Sequence, residues 1–181
     1  MAEKTLNKKM AMIIAFRDFR DEEYFIPKQV LESYGIKITT VSSKKGQALG
    51  VFGGTIDIDL KLDDLKVSDF DGIIFIGGAG ASEYIENEKA HQIAKEAIEK
   101  NKVLGAICIA PAILARAGLL NEKKATVWSS NLDKSAVKIL KEEGADYQTD
   151  SIVVDGKIIT ANGPMAARKF GEKIGEVLTE K

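Results

Sequence analysis

Short, uninterrupted apolar runs alternate with segments of helical periodicity along most of this chain. Uninterrupted runs are typical of strands that are buried on both faces of a parallel sheet. Strands are predicted at 10–16, 37–42, 72–76 and 102–107. Helices are predicted at 22–34, 88–100, 110–117, 135–143 and 165–178. Because strands that alternate with helices form right-handed βαβ units, the pattern predicts an α/β fold whose mostly parallel sheet is covered on both faces.

Shorter β segments interrupt this alternation. Four glycines among β-forming residues favour a small hairpin within 46–59 over a helix. Near the C-terminus, Asp155-Gly156 separates two apolar stretches, which indicates a tight hairpin over 151–160. A further short strand is predicted at 125–127. Since no linker, repeat or low-complexity stretch appears, we expect one domain over 1–181 with its core at about 10–178.

Charge and composition narrow the classes of function. Lys and Arg together number 26 and Asp and Glu 27, for a net charge of −1, and the signs are interspersed. This charge distribution gives no indication of binding to nucleic acids or to anionic membranes. The apolar run at 10–16 is too short to span a membrane. The single cysteine permits no internal disulfide, and with a single histidine it cannot fill a zinc shell. We therefore expect a cytoplasmic protein without metal or cofactor and without nucleic-acid or membrane partners.

Chemically suggestive residues follow three of the predicted strands. The first strand leads into the charged segment 17–23, the strand at 72–76 into Gly77-Gly78-Ala79-Gly80, and the strand at 102–107 directly into Cys108. In open parallel sheets, ligands bind beyond the carboxyl ends of the strands. If these strands are neighbours, a carboxylate, free backbone N–H groups and a thiol meet in one place. Arg20 either attracts an anion there or is a solvated surface residue.

Cys108 lies where a strand passes without a spacer into a helix that Pro111 can begin. Small residues flank it in G-A-I-C-I-A-P, as a sharp strand-to-helix turn requires, and this is the pattern of a nucleophile elbow. Free N–H groups at a helix start favour the thiolate, and such positions lower a cysteine pKa to roughly 3.5–7.5. The alternative is that Cys108 is simply a small buried residue.

Several motifs together resemble the ThiJ/PfpI (DJ/PfpI) superfamily. They are Gly77-Gly78 after a strand, A-I-C-I-A-P-A-I-L-A-R-A-G-L-L around Cys108, D-E-E-Y-F-I-P in the first helix, and D-G-K-I-I-T-A-N-G-P near the C-terminus. The resemblance extends over about 10–178. It implies the class I glutamine amidotransferase-like fold, a flavodoxin-like three-layer sandwich with a mostly parallel central sheet and a nucleophile elbow. It also implies a homodimer or a larger homo-oligomer.

The same resemblance implies roles for individual residues. Cys108 would be the nucleophile or oxidisable thiol, and Glu23 its partner, a protonated carboxyl group that donates a hydrogen bond to the thiolate. The N–H groups of Gly78 and Ile109 would form an oxyanion pocket. The site would also be lined by the two residues of the late G-P motif, Gly163 and Pro164.

Physical chemistry supports Glu23 independently of the resemblance. A carboxyl group beside a thiolate is disfavoured as an anion, so its pKa should rise and make it a proton shuttle near neutral pH. The alternative is an acidic residue that is favoured in a first helical turn by the helix dipole.

The chain departs from the superfamily pattern at its histidines. One branch has a histidine immediately after the cysteine, where this chain has Ile109. Other branches have one at the end of the next strand, where this chain has Trp128. The only histidine, His91, falls within the helix that begins near residue 88, so no Cys–His pair is available. For Trp128 the sequence leaves three alternatives open: an aromatic wall of the pocket, a core residue or an oligomer contact.

The resemblance implies deglycase or glyoxalase-like chemistry on small reactive carbonyls or on glycated proteins. Cys108 would attack the aldehyde, and Glu23 would move the protons. A redox or stress sensor that works through oxidation of Cys108 is one alternative. An intracellular cysteine peptidase is another, which Ile109 disfavours. The last alternative is a family member without catalytic activity that only binds a ligand or a partner.

Overall fold

Twelve strands and five α-helices are found in residues 7–180, the part of the chain that the computed structural model describes. The strands are β1 (Lys9–Ile13), β2 (Arg17–Phe19), β3 (Lys37–Ser42), β4 (Gln47–Gly50), β5 (Thr55–Asp57), β6 (Leu60–Lys61), β7 (Gly72–Phe75), β8 (Val103–Ile107), β9 (Lys124–Ala125), β10 (Asp146–Tyr147), β11 (Ile152–Asp155) and β12 (Ile158–Ala161). The helices are α1 (Asp21–Ser33), α2 (Glu88–Glu99), α3 (Pro111–Arg116), α4 (Ser135–Glu142) and α5 (Ala167–Thr179).

Seven strands form the central sheet, in the order β11-β12-β8-β7-β1-β3-β6. All pairs are parallel except β11 with β12, which form the predicted antiparallel hairpin. The sheet therefore has the mostly parallel architecture that the sequence predicts. Because β8, β7 and β1 are adjacent, the residues that follow them meet at one edge of the sheet, as the sequence analysis required.

Two apolar cores cover the two faces of this sheet. Along β1, Met10 and Met12 join the core under α1 and α5, whereas Ala11 and Ile13 join the core under α2, α3 and α4. Helix α1 packs against α5 on one side, and α3 packs against α4 on the other. This arrangement confirms the predicted three-layer flavodoxin-like sandwich. No helix among residues 7–180 is long and apolar enough to cross a membrane.

The structure corrects several predicted boundaries. The predicted strand at 10–16 ends at Ile13, because the buried residues after it turn away and lead into β2. Strand β2 pairs with β4, and β4 pairs with β5 in the predicted hairpin, so these strands form a second sheet. The strand predicted at 125–127 is β9, which ends at Ala125. It pairs with β10, a two-residue strand that is too short to give a periodic signal.

Candidate active site

A cavity of about 650 Å³ opens at the carboxyl edge of the central strands. Most of the residues predicted for the site line it, namely Glu23, Gly78, Cys108, Ile109, Trp128 and Pro164. Gly163 does not line the cavity but lies buried behind it, next to the Trp128 ring. The neighbouring positions of β1, β7 and β8 thus bring together residues that are far apart in the sequence.

Cys108 occupies the sharp turn between β8 and α3. Its backbone is left-handed, with φ of 64°, a conformation that costs a residue with a side chain about 1–3 kcal/mol. Two hydrogen bonds hold the turn: the Cys108 N–H donates to the Ala161 carbonyl, and the Trp128 N–H donates to the Cys108 carbonyl, both at 2.9 Å. This strained turn is the predicted nucleophile elbow.

Glu23 lies in the first turn of α1 and is fully buried. Among the described residues, neither of its carboxyl oxygens has a hydrogen-bond partner. Burial raises the pKa of Glu23 to about 7, and the nearby Cys108 thiol and the Arg20 charge offset only part of this rise. The predicted direction of the pKa is therefore confirmed, but its main cause is loss of solvent rather than a neighbouring thiolate.

Two glycines allow the thiol and the carboxyl group to meet. A Cβ at Gly77 would come closer than 3.0 Å to both the Cys108 Cβ and the Glu23 carboxyl group. Gly78 has φ of 107°, and a Cβ there would collide with the backbone of residues 18–20. Only glycine at these positions leaves room for Glu23 beside Cys108 and brings the Gly78 amide close to the sulfur.

The pKa of Cys108 contradicts the sequence-based prediction. Burial, and the negative charge of the Glu23 carboxylate beside it, raise the pKa of Cys108 to about 12. The amides of Gly78 and Ile109 lower the pKa, but by less. The prediction considered the amides of the turn and not the removal of the sulfur from water. Cys108 is half-buried and Glu23 is fully buried. Because two acids in contact in such surroundings do not ionise together, the pair holds one proton near neutral pH, and a thiolate requires a neutral Glu23.

Arg20 is the only cationic side chain among the described residues that line the cavity. Its Nε donates to Glu22 Oε2 at 2.9 Å, and its guanidinium lies 4.7 Å from the centre of the Phe52 ring. Its charge acts on both Cys108 and Glu23. The structure thus places Arg20 on the wall of the site, with its side chain 33% exposed.

Asp21 was not singled out by the sequence analysis, although it positions one side of the cavity mouth. Its carboxylate accepts hydrogen bonds from the backbone N–H groups of Phe52, at 2.8 Å, and Gly54, at 2.7 Å. These bonds fix the turn between β4 and β5 against the start of α1. No local pattern could have revealed them, because the partners are more than 30 residues apart in the chain.

The rest of the cavity is lined mainly by apolar side chains, among them those of Val51, Ile85, Ile109, Trp128, Ile139 and Pro164, together with the polar side chains of Ser82, Asp133 and Ser135. Trp128 is half-buried and is therefore a wall of the cavity. His91 is not among the lining residues, and its Nε2 lies 2.7 Å from the Ile85 carbonyl oxygen. In residues 7–180, no group of three or more His, Cys, Asp or Glu side chains is arranged to hold a metal ion.

The fold and the site define a class of α/β proteins in which a cysteine on a nucleophile elbow faces a buried glutamate. The chain belongs to the DJ-1/PfpI family, whose sequence model matches residues 8–177. This confirms the predicted resemblance.

Individual relatives agree with this assignment. The chain is 43% identical over 173 residues to uncharacterized protein MJ0967 of Methanocaldococcus jannaschii, covering 95% of this chain and 83% of the relative. It is 29% identical over 171 residues to the glutathione-independent glyoxalase DJR-1.2 of Caenorhabditis elegans, covering 94% and 89%. It is 28% identical over 153 residues to the deglycase PfpI of Pyrococcus furiosus, covering 84% and 89%. The crystal structure of the ThiJ/PfpI domain protein from Brachyspira murdochii superimposes with a TM-score of 0.90 at 29% identity, covering 95% of this chain and 96% of that one.

Proposed function

We propose that this protein is a cysteine-dependent enzyme that acts on small reactive carbonyl compounds or on the adducts they form with proteins. The observation that carries the proposal is the pairing of Cys108, on its elbow, with Glu23, whose buried carboxyl group has a pKa of about 7. A general acid or base works best when its pKa lies near the working pH. Relatives named deglycase and glyoxalase support the same class of chemistry.

The first step is addition of the Cys108 sulfur to an aldehyde carbon. A C–S bond forms, the C=O π bond breaks, and the oxygen takes the proton of the neutral Glu23, which leaves a hemithioacetal and a Glu23 carboxylate. The amides of Gly78 and Ile109 stabilise the negative charge on oxygen while it develops. Those two amides donate to no backbone carbonyl in residues 7–180, so they are available for this role.

The second step uses the Glu23 carboxylate as a base. On a 2-oxoaldehyde it removes the hydrogen from the carbon bound to sulfur. The C–H electrons form a C=C bond, the ketone π bond breaks, and the ketone oxygen takes the proton from Glu23, which gives an enediol. Glu23 then removes the proton of the hydroxyl group on the carbon bound to sulfur and delivers it to the neighbouring carbon, so that a C=O bond replaces the C=C bond and a thioester results. Water then cleaves the C–S bond, which releases a 2-hydroxy acid and restores the thiol. The net reaction adds one water molecule and needs no oxidant or reductant. Since Ile109 and Trp128 supply no imidazole, Glu23 moves every proton.

The test is formation of lactate from methylglyoxal without glutathione. Cys108→Ala is expected to abolish turnover, and Glu23→Gln to reduce it by about 10²–10⁴-fold, the usual contribution of one general base. Glu32→Gln, the same substitution at an exposed position of α1, serves as the matched control and should retain activity. Lactate formation that survives in Cys108→Ala, or a wild type that turns over neither methylglyoxal nor a larger 2-oxoaldehyde, would overturn the proposal.

A redox sensor is the second candidate, and the unpartnered oxygens of Glu23 favour it. Two molecules of peroxide would oxidise the Cys108 sulfur in turn to a sulfenic acid and then to a sulfinate, each molecule being reduced to water, and the neutral Glu23 carboxyl group would donate a hydrogen bond to a sulfinate oxygen. Addition of two oxygen atoms to the intact mass at limiting peroxide, without any carbonyl turnover, would favour this function. A peptidase has the least support, because no imidazole faces Cys108.

We also keep the proposal of a homodimer or larger homo-oligomer. Large apolar side chains are exposed near the cavity, with Phe52 65% exposed, Leu132 fully exposed and Met165 98% exposed. Exposed apolar surface of this kind often marks an interaction site. Light scattering on the purified protein gives the mass in solution, and a monomer at all concentrations would refute the proposal.

A further inference from the structure

The cavity beside Cys108 is much larger than a three-carbon carbonyl compound requires. It measures about 650 Å³. Cavities of roughly 300–1,000 Å³ usually hold drug-sized ligands. Methylglyoxal is only a few times the size of a water molecule, whose share of the liquid is about 30 Å³. Methylglyoxal bound at the sulfur would therefore leave most of the cavity to solvent.

Apolar side chains outnumber polar ones in the lining of this cavity. The polar groups near the sulfur are the Glu23 carboxyl group and the amides of Gly78 and Ile109. The lining also includes the apolar side chains of Val51, Ile85 and Ile139, together with a smaller number of polar ones, those of Ser82, Asp133 and Ser135. A ligand that matches this arrangement has its reacting oxygens at one end and an apolar group at the other.

The apolar lining continues outward at the mouth. Val51 lines the cavity and is 45% exposed, and the next residue, Phe52, is 65% exposed. The Asp21 carboxylate holds the backbone of this turn, and the Arg20 guanidinium lies over the Phe52 ring. The turn is therefore fixed in place with its apolar side chains uncovered, as expected for one rim of a binding groove.

We infer that the preferred substrates are 2-oxoaldehydes that carry a bulky apolar substituent, either branched alkyl or aromatic. This inference rests on the proposed function and specifies its substrate class. The aldehyde carbon meets Cys108, the oxygens face the amides and Glu23, and the substituent packs against Ile109, Trp128 and Ile139. One methylene group in a hydrophobic pocket changes kcat/KM by about 10–200-fold. A substrate with three additional carbons should therefore exceed methylglyoxal by at least about 10-fold.

The experiment compares 4-methyl-2-oxopentanal with methylglyoxal in the wild type and in two variants. Ile139→Ala removes an apolar side chain from the cavity wall. Ile98→Ala is the matched control, because Ile98 is also half-buried against the same core but does not line the cavity. The ratio of kcat/KM for the two substrates should be about 10 or more in the wild type and in Ile98→Ala, and several-fold lower in Ile139→Ala.

A second measurement needs no variant. A branched ketone, 4-methylpentan-2-one, should protect Cys108 of the wild type from iodoacetamide at a lower concentration than acetone does. Equal protection by the two ketones would overturn the inference.

The outcomes separate this inference from the proposed function. Turnover of neither aldehyde means that the proposed function fails. Turnover that favours methylglyoxal, or that treats the two aldehydes equally, leaves the proposed function standing and overturns the preference for apolar substituents. A high ratio that Ile139→Ala does not change overturns the assigned position of the substituent.

Discussion

The buried carboxyl group of Glu23 should make the stability of this fold depend on pH, and Glu23→Gln tests that dependence. The pKa rises from 4.5 to about 7 on folding because the carboxylate loses its solvent. At 1.36 kcal/mol for each pKa unit, this difference corresponds to roughly 3 kcal/mol. A raised pKa means that the folded state holds the proton more tightly than the unfolded state. The resulting stabilisation is complete below pH 4.5, declines as the pH rises towards 7, and is lost above that.

Glutamine has nearly the same shape and no charge, so the variant lacks this decline. Between pH 4.5 and pH 8, the free energy of unfolding of the wild type should fall relative to that of Glu23→Gln by up to roughly 3 kcal/mol. The assay is urea unfolding at several pH values across this range, with the m-values compared to confirm that the same surface is exposed. Glu32→Gln, at an exposed position of the same helix, should run parallel to the wild type.

One result would refute the reasoning. If the difference between the wild type and Glu23→Gln stays constant from pH 4.5 to pH 8, then Glu23 loses its proton at the same pH in the folded and in the unfolded protein. Burial would then not raise the pKa of Glu23, and its carboxyl group would be ionised near neutral pH.

Three further predictions follow from the same site. Arg20→Gln should slow iodoacetamide alkylation of Cys108 at pH 7 several-fold, because the charge that favours the thiolate is removed, whereas Arg20→Lys should retain most of the rate. Gly77→Ala should lower the free energy of unfolding in urea by about 1–3 kcal/mol, since its Cβ would overlap Cys108 and Glu23; wild-type stability would refute the close packing. Asp21→Ala should lower the free energy of unfolding by about 1–3 kcal/mol and speed hydrogen exchange of the Phe52 and Gly54 amides in the β4–β5 turn. Unchanged exchange would contradict the assigned role of these hydrogen bonds.

The elbow could be predicted from the sequence because all its determinants are contiguous. A buried strand, small residues around Cys108 and a proline that begins the next helix lie within seven positions, G-A-I-C-I-A-P. The position of Glu23 needed more information, since only the strand order brings α1 next to that turn. The short strands β2, β6 and β10 could not be predicted, because two or three residues show no periodicity and their pairing depends on tertiary structure.

Part of the apolar wall of the cavity could not be predicted from the sequence, for a related reason. Val51, Ile85 and Ile139 come from a hairpin turn, a loop before α2 and the middle of α4. Each is an ordinary apolar residue within its own segment. Their common feature is that the segments converge beyond the edge of the sheet, and that convergence is a property of the packed layers.

The pKa of Cys108 shows most clearly what the sequence leaves undetermined. The sequence reveals the amides that follow the cysteine, but not how far the sulfur lies from water or that a second acid touches it. With Glu23 fully buried and Cys108 half-buried, the pair loses one proton near pH 7 and keeps the other to about pH 12. Between these values the reactive form has the remaining proton on Glu23 and the charge on sulfur. The amides of Gly78 and Ile109 favour that form by stabilising the charge on sulfur. Alkylation of Cys108 should therefore reach a plateau just above pH 7, and a rate that climbs steadily to pH 10 would contradict this account.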